Sequence, residues 1–340
     1  MFHTLRRPDV LVVTLAAAGI LMVTMGVRQS FGLFVSPLNS ATGMGVATVS
    51  LALAIGQLSW GAIQPVAGAL ADRYGVRVVL VAGRVVLAVG CALTPFVDDG
   101  FGAMWAMALA AVAALPLVGR RTAPAAATAA ESAPGSEQRL GPAVRAARKD
   151  RSYLLLHAGF FTCGFHIAFL VTHLPGEVDL CGLPAGVAST SLAIIGLANV
   201  FGSLFAGSWV GRYRSKHVLA LMYGSRALLI AWYLLMPPSE WTFYLFAAGL
   251  GFTWLATVPP TAAIVGKLFG TRYLATLFGL TLLSHQIGGF LGAWLGGLAL
   301  RAFGDFTWMW YADMALALAA ALVNLPIREA RVQPLQARAA

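Results

Sequence analysis

Charge is scarce in this chain, and acidic charge most of all: 11% of its 340 residues are Asp, Glu, Lys or Arg, 13 of them acidic and 23 basic. That leaves too little polar surface to enclose a water-soluble globule. Cysteine is scarce too. Cys91, Cys163 and Cys181 have neither disulfide nor metal-ligand spacing, so the chain is not a cross-linked scaffold and no metal site is expected. No His-Glu-x-x-His or comparable nucleophile-and-base spacing occurs. Nothing points to an enzyme, and no cofactor is expected. Polar low-complexity sequence is confined to one stretch rich in Ala, Pro, Arg and Ser, from Gly119 to Asp150, which reads as a flexible linker.

What is present is hydrophobic sequence, 59% of all residues, with a mean hydropathy of +0.78. Apolar stretches of the roughly 20 residues needed to cross about 30 Å of hydrocarbon lie near 11–35, 46–69, 78–97, 101–119, 153–175, 186–210, 217–236, 241–265, 273–299 and 306–325. They are continuously apolar and lack the alternation of barrel strands, so the expected fold is an all-α integral membrane bundle of about ten helices. The net charge of +10 does not signify nucleic acid, because its placement follows the membrane. Arg6, Arg7, Arg73, Arg77, Arg120, Arg121, Arg145, Arg148, Arg212, Lys216, Lys267 and Arg328 fall on one side, while Asp98, Asp99, Glu177, Asp179, Glu240 and Asp305 fall on the other. The positive-inside bias then puts both termini in the cytoplasm. The run after Arg6-Arg7 is too long for a cleaved signal and reads as a retained first helix. The expected organisation is a four-span bundle over 1–119, a cytoplasmic linker over 120–152, a six-helix bundle over 153–327 and a cytoplasmic tail over 328–340.

One motif is written twice, as GALADRYGVRVVL at Gly68–Leu80 and GSWVGRYRSKHVL at Gly207–Leu219. Gly68 aligns with Gly207, Asp72 with Gly211, Arg73 with Arg212, Tyr74 with Tyr213 and Arg77 with Lys216, each pair 139 residues apart. The chain therefore reads as two related halves. The pattern of Gly68, Asp72, Arg73, Gly75 and Arg77 closes the second span and opens the third, and it resembles the signature loop of the major facilitator superfamily. Small residues let helices approach, while Asp72 and the arginines suit a charge network that breaks and reforms as two halves rock. The strings GVRQSFGLFVSPL at Gly26–Leu38, GFFTCGFHIAFLVTHLP at Gly159–Pro175, TWLATVPPT at Thr253–Thr261 and LSHQIGGFLGAWLGG at Leu283–Gly297 resemble bacterial monocarboxylate porters and oxalate/formate antiporters.

That resemblance implies a multi-pass solute carrier of the bacterial inner membrane, working by alternating access on small solutes, often organic anions such as monocarboxylates. Members of the superfamily have six spans before the central loop, so the resemblance also implies that two are missing here, by position the fourth and fifth. The expected function is secondary active transport. The alternative is a degenerate, non-transporting membrane protein left by internal deletion.

Polar residues inside spans are the candidates for a substrate path. Arg28 either attracts an anion with a permanent bidentate guanidinium or snorkels to the interface. His166 and His285 either face the cavity, where an imidazole suits proton coupling, or sit satisfied between packed helices. Gln286, Trp254 and Thr257 complete the pathway set, and Gly68, Asp72, Arg73, Gly75, Arg77, Gly207, Gly211, Arg212 and Lys216 the gating set. Arg84 and Arg226 read as structural, and Asp313 has no evident partner in the sequence. The charge pattern predicts that single cysteines introduced in 121–150 react with a membrane-impermeant thiol reagent only from the cytoplasmic face; labelling from outside would overturn the topology.

Overall fold

The computed structural model describes residues 31–74 and 140–329. The spans expected near 78–97 and 101–119, and nearly all of that near 11–35, lie outside the described residues. Within them a single 3-10 turn, Phe31–Phe34, leads into α1 (Val35–Thr42), followed by α2 (Val46–Tyr74). After residue 140 come α3 (Leu140–Ala147), α4 (Arg151–Leu180), α5 (Ala185–Val210), α6 (Ser215–Leu235), α7 (Glu240–Trp254), α8 (Val258–Phe269), α9 (Leu274–Phe303) and α10 (Thr307–Asn324). No strand occurs among the described residues, and six of their helices, with α7 and α8 taken as one, are long and apolar enough to cross a membrane.

The helix ends follow local chemistry. Asp150 caps α4, its Oδ1 accepting from the Tyr153 amide at 3.0 Å, and Ser239 caps α7 by accepting from the Thr242 amide at 3.2 Å. Gly304, at φ 78°, closes α9 in the left-handed conformation that a residue with a Cβ avoids. The Pro259-Pro260 pair removes two backbone donors, and the expected span over 241–265 is accordingly two helices joined by a 3-10 turn at Leu255–Thr257.

Several boundaries differ from those expected. α2 runs 29 residues, about 43 Å at 1.5 Å per residue, so Gly68, Asp72 and Arg73 belong to its last two turns and not to a loop. Leu140–Ala147 is helical with Ala147 buried, so the end of the 120–152 stretch is ordered against the bundle. Arg328, in the expected tail, donates from its amide to Ser152 and from its guanidinium to Asp150, both at 3.0 Å. The stretch near 306–325 is α10, 18 residues long and not apolar enough to stand among the six membrane-crossing candidates.

α4 is the most buried helix of the bundle, with α9 on one side and α10 on another; α5 packs on α7, and α6 on α10. α9 itself lies between α4 and α2. The packing is glycine-mediated, as expected where lipid offers no hydrophobic drive and close van der Waals approach must hold helices together. A Cβ added at Gly288 or Gly292 of α9 would overlap the carbonyl oxygens of Phe161 or Phe165 on α4, and one at Gly164 would overlap that of His285. On the opposite side a Cβ at Gly279 would fall 2.9 Å from the Gln64 carbonyl of α2, and one at Gly68 2.6 Å from the Ala275 carbonyl. α2 and α5 begin at Val46 and Ala185, 139 residues apart, the offset of the repeated motif.

These contacts predict opposite outcomes for two glycine substitutions. Gly288→Ala should cost about 1–3 kcal/mol in reversible unfolding from mixed micelles, the range for overpacking. Gly196→Ala, where an added Cβ meets nothing within 4 Å among the described residues, should be neutral or stabilising by about 0.5–1 kcal/mol from helix propensity.

Candidate functional site

Asp72 lies at the end of α2, against the first turn of α9. Its Oδ2 accepts from the Thr276 amide at 3.1 Å and from the Thr276 hydroxyl at 2.6 Å. Thr276 is the third residue of α9, so the carboxylate satisfies a backbone donor that has no partner within the helix and meets the positive end of its dipole. Gly68 makes this possible, since one turn back it brings the α2 backbone against Ala275. Arg73 lies over the Tyr74 ring, 5.1 Å from its centroid. Asp72 thereby ties the first half of the chain to the second.

The second copy of the motif is built differently. Gly211, the counterpart of Asp72, is the exposed C-cap of α5 and offers no carboxylate, and a Cβ at Gly207 would meet nothing within 4 Å among the described residues. Its Lys216 instead engages the chain after α10: the Lys216 amide donates to Glu329 Oε1 at 2.7 Å and its ammonium to the Leu325 carbonyl at 2.8 Å. Lys267 adds an ion pair to Glu329 Oε2 at 2.7 Å. Burial pushes the Glu329 carboxyl up, but the hydrogen bonds from Lys216, Lys267 and the Ser215 amide together with the Lys267 charge outweigh it and hold the group below its usual range.

A second polar centre lies inside the six-helix half, around the break between α7 and α8. The Thr253 carbonyl accepts from Arg226 Nη2 at 2.8 Å, the Leu255 amide donates to Asn199 Oδ1 at 2.9 Å, and the Trp254 carbonyl accepts from the Thr257 hydroxyl at 3.3 Å. The Thr261 hydroxyl donates to the Thr257 carbonyl at 2.7 Å. Side chains thus supply hydrogen bonds where the helix ladder is interrupted, the condition for a broken helix within a bilayer. Close by, His166 Nδ1 of α4 is paired with Asp313 Oδ2 of α10, both side chains fully buried.

The expected pathway residues that are described sit at separate contacts around α4 and α9. Arg28, Gly75 and Arg77 lie outside the described residues. His166 is paired with Asp313. His285 is buried with its ring 4.8 Å from that of Phe160. Trp254 and Thr257 are buried at the helix break, where Cys163 Sγ lies 3.3 Å from the Thr257 hydroxyl. Gln286 occupies the seam between α9 and α2, where a Cβ on Gly61 would overlap its side chain; both its amide atoms are buried without a hydrogen-bond partner among the described residues.

A cleft of about 460 Å³ opens between α4, α9 and α10, lined by His157, Phe161, Thr162, Ser284, Leu316 and Val323, and it contains none of the expected pathway residues. His157 Nδ1 lies 2.5 Å from the Ser284 hydroxyl there. Asn199, Thr276 and Glu329 were not legible as site residues, because each acts on a partner at least 56 residues away in sequence.

Comparison with known proteins follows the same architecture. The family model described as Major Facilitator Superfamily matches residues 100–293 and 156–339. A protein of Bacillus subtilis (strain 168) named "Uncharacterized MFS-type transporter YcxA" is 26% identical over 156 residues, which is 44% of this chain and 38% of that protein. The similar stretch thus spans well under half of that relative. The family match covers more than half of this all-helical, multi-pass chain, which belongs to the Major Facilitator Superfamily.

Proposed function

We propose that this chain is a secondary active transporter of small organic anions such as monocarboxylates, working by alternating access between its two halves. The observation that carries the reading is the Asp72 contact with the N-terminus of α9. It joins two halves through hydrogen bonds at the end of a helix pair, so it can be released without unfolding either helix. In this reading Gly68, Asp72, Arg73, Gly75 and Arg77 form the gate of the first half. Gly207, Gly211, Arg212 and Lys216 are its altered counterpart. The Gln286 amide, without a partner among the described residues, supports a solute contact at the α2–α9 seam, with Arg28 supplying the compensating positive charge and Trp254, Thr257 and His285 flanking the path. His166, held by Asp313, serves proton coupling and not solute contact.

The proposal extends to organisation. The subfamily is that of the monocarboxylate and oxalate/formate carriers, two spans are missing from the half over 1–119, and 120–152 and 328–340 are cytoplasmic in a bacterial inner membrane. A second reading, a non-transporting remnant, is favoured by Gly211: an acid at that position in the second half would mirror Asp72, and none is present.

Counterflow of labelled carboxylates into proteoliposomes separates the two. Exchange above protein-free vesicles supports transport, and none beside an active full-length relative supports the remnant. Asp72→Ala removes hydrogen bonds to a charged group, worth about 1.5–3 kcal/mol in the joined state. It should lower the exchange rate by about tenfold or more while leaving membrane insertion unchanged. Thr276→Val keeps the amide donor and should lose less. Parental exchange in Asp72→Ala would remove the gate from the reading.

A further inference from the structure

The three helices around the 460 Å³ cleft meet at one basic end. The Tyr153 hydroxyl in the first turn of α4 donates to the Leu277 carbonyl in the first turn of α9 at 2.6 Å, and the Arg328 amide, just beyond α10, donates to the Ser152 hydroxyl. Around that end stand Arg145, Arg148, Lys149, Arg151 and Arg328, all exposed. The two acids there are already engaged, Asp150 with Arg328 and Glu329 with Lys267. Arg145, Arg148, Lys149 and Arg151 are thus left without an ion pair among the described residues.

The cleft continues inward from this charge. Ala158, in its wall, lies two turns from Arg151 on the same face of α4, about 10 Å deeper at 1.5 Å per residue. It opens outward from the bundle, since Ala158 and Ala319 are exposed and Ile287 is 41% exposed. The wall is apolar except for Thr162 and for the pair formed by His157 Nδ1 and the Ser284 hydroxyl; His157 Nε2 has no hydrogen-bond partner among the described residues. His157 is six residues, about 9 Å, from Arg151, and the polar interface on each side of a bilayer is about 5–8 Å thick. Cation, polar pair and apolar wall therefore succeed one another in the order of phosphate, ester and acyl chain.

We propose that this cleft binds one anionic phospholipid, its phosphate held by Arg151 with Arg148 and Lys149, its ester oxygens beside His157 and Ser284, and one acyl chain along Phe161, Leu316 and Val323. Charge complementarity chooses the occupant. A polar solute finds few partners in so apolar a wall, and a zwitterionic lipid brings no net charge to answer the unpaired cations. Basic residues alone would attract an anionic surface anywhere along the rim, whereas the cleft beneath them fixes one molecule. The site stands whether or not the chain carries a solute.

Native mass spectrometry of the full chain, released from neutral-detergent micelles titrated with dioleoyl-phosphatidylglycerol or dioleoyl-phosphatidylcholine, counts the lipid retained. Phosphatidylglycerol should fill a first site at least tenfold more tightly than phosphatidylcholine, each cation near an anionic headgroup counting for about fivefold. A diazirine on its acyl chain should label peptides of α4, α9 or α10. Lys149→Gln with Arg151→Gln should abolish the preference, while Arg301→Gln, in the last turn of α9, should keep it. Ala319→Phe fills the cleft from an exposed position and should weaken both lipids about tenfold. Should it fail to accumulate, Ala158→Leu on the facing wall decides.

Equal retention of the two lipids, a preference that survives the double substitution, or labelling confined to other helices overturns the proposal. Displacement by glycerol phosphate, which has the headgroup charge and no chain, would reduce the site to an anion site and overturn it too. So would a two-chain species that excludes lipid and dissociates in Ala319→Phe, which gives the cleft to a second copy.

Discussion

Glycines on two faces of α9 let its backbone approach α4 at Gly288 and Gly292 and α2 at Gly279, and the placement of the polar groups follows from that approach. Lipid tails are as apolar as leucine, so helices in a bilayer gain little by hiding hydrophobic area and must gain by close contact instead. Side chains on those faces would hold α9 several ångströms from its neighbours. Seated as it is, α9 presents Thr276 within hydrogen-bonding distance of Asp72 at one end. At its middle it presses the Gln286 side chain against Gly61, and beyond that it offers the Ala293 carbonyl to His173 Nε2 at 2.8 Å.

The same solvent makes every interrupted hydrogen bond expensive, and the interior of the six-helix half is arranged around one interruption. Pro259 and Pro260 cannot donate to the carbonyls one turn before them, and the ladder between α7 and α8 is replaced by a 3-10 turn at Leu255–Thr257. Arg226 donates to the Thr253 carbonyl just before that turn. Its burial at zero exposure is tolerable because the guanidinium has a carbonyl partner and the Tyr223 ring. Removing one member of such a set leaves a buried charge without compensation, which costs more than the set as a whole contributes.

Fold class was readable from composition because twenty-residue apolar runs have few alternatives in a membrane. The repeat was readable because glycine, aspartate and arginine recur at one offset, and that offset also relates the first residues of α2 and α5. The site was less legible for a physical reason. His166 and Asp313 are 147 residues apart, and a mid-span histidine looks the same in sequence whether it faces a cavity or a carboxylate on a distant helix. Asp313 stood in the sequence without an evident partner, and its burial against His166 emerges only from the fold. The span over 241–265 was read as one helix, and the residues that bond to the backbone at its break, Arg226 and Asn199, come from two other helices and carry no local mark.

The two motif copies show how a duplicated device can diverge while the charge requirement persists. In the first half the acid is in the motif, and Asp72 reaches across to α9. In the second, glycine has taken that place, yet the helix that follows still needs an acceptor for its first amides. Glu329, from the chain beyond α10, provides it, accepting from the Lys216 amide while its other oxygen pairs with Lys267. The first acid joins the two halves, whereas the second closes one half on itself. Among the described residues Asp72 is the carboxylate that joins α2 to α9, and the asymmetry of the two loops follows from where each acid is held.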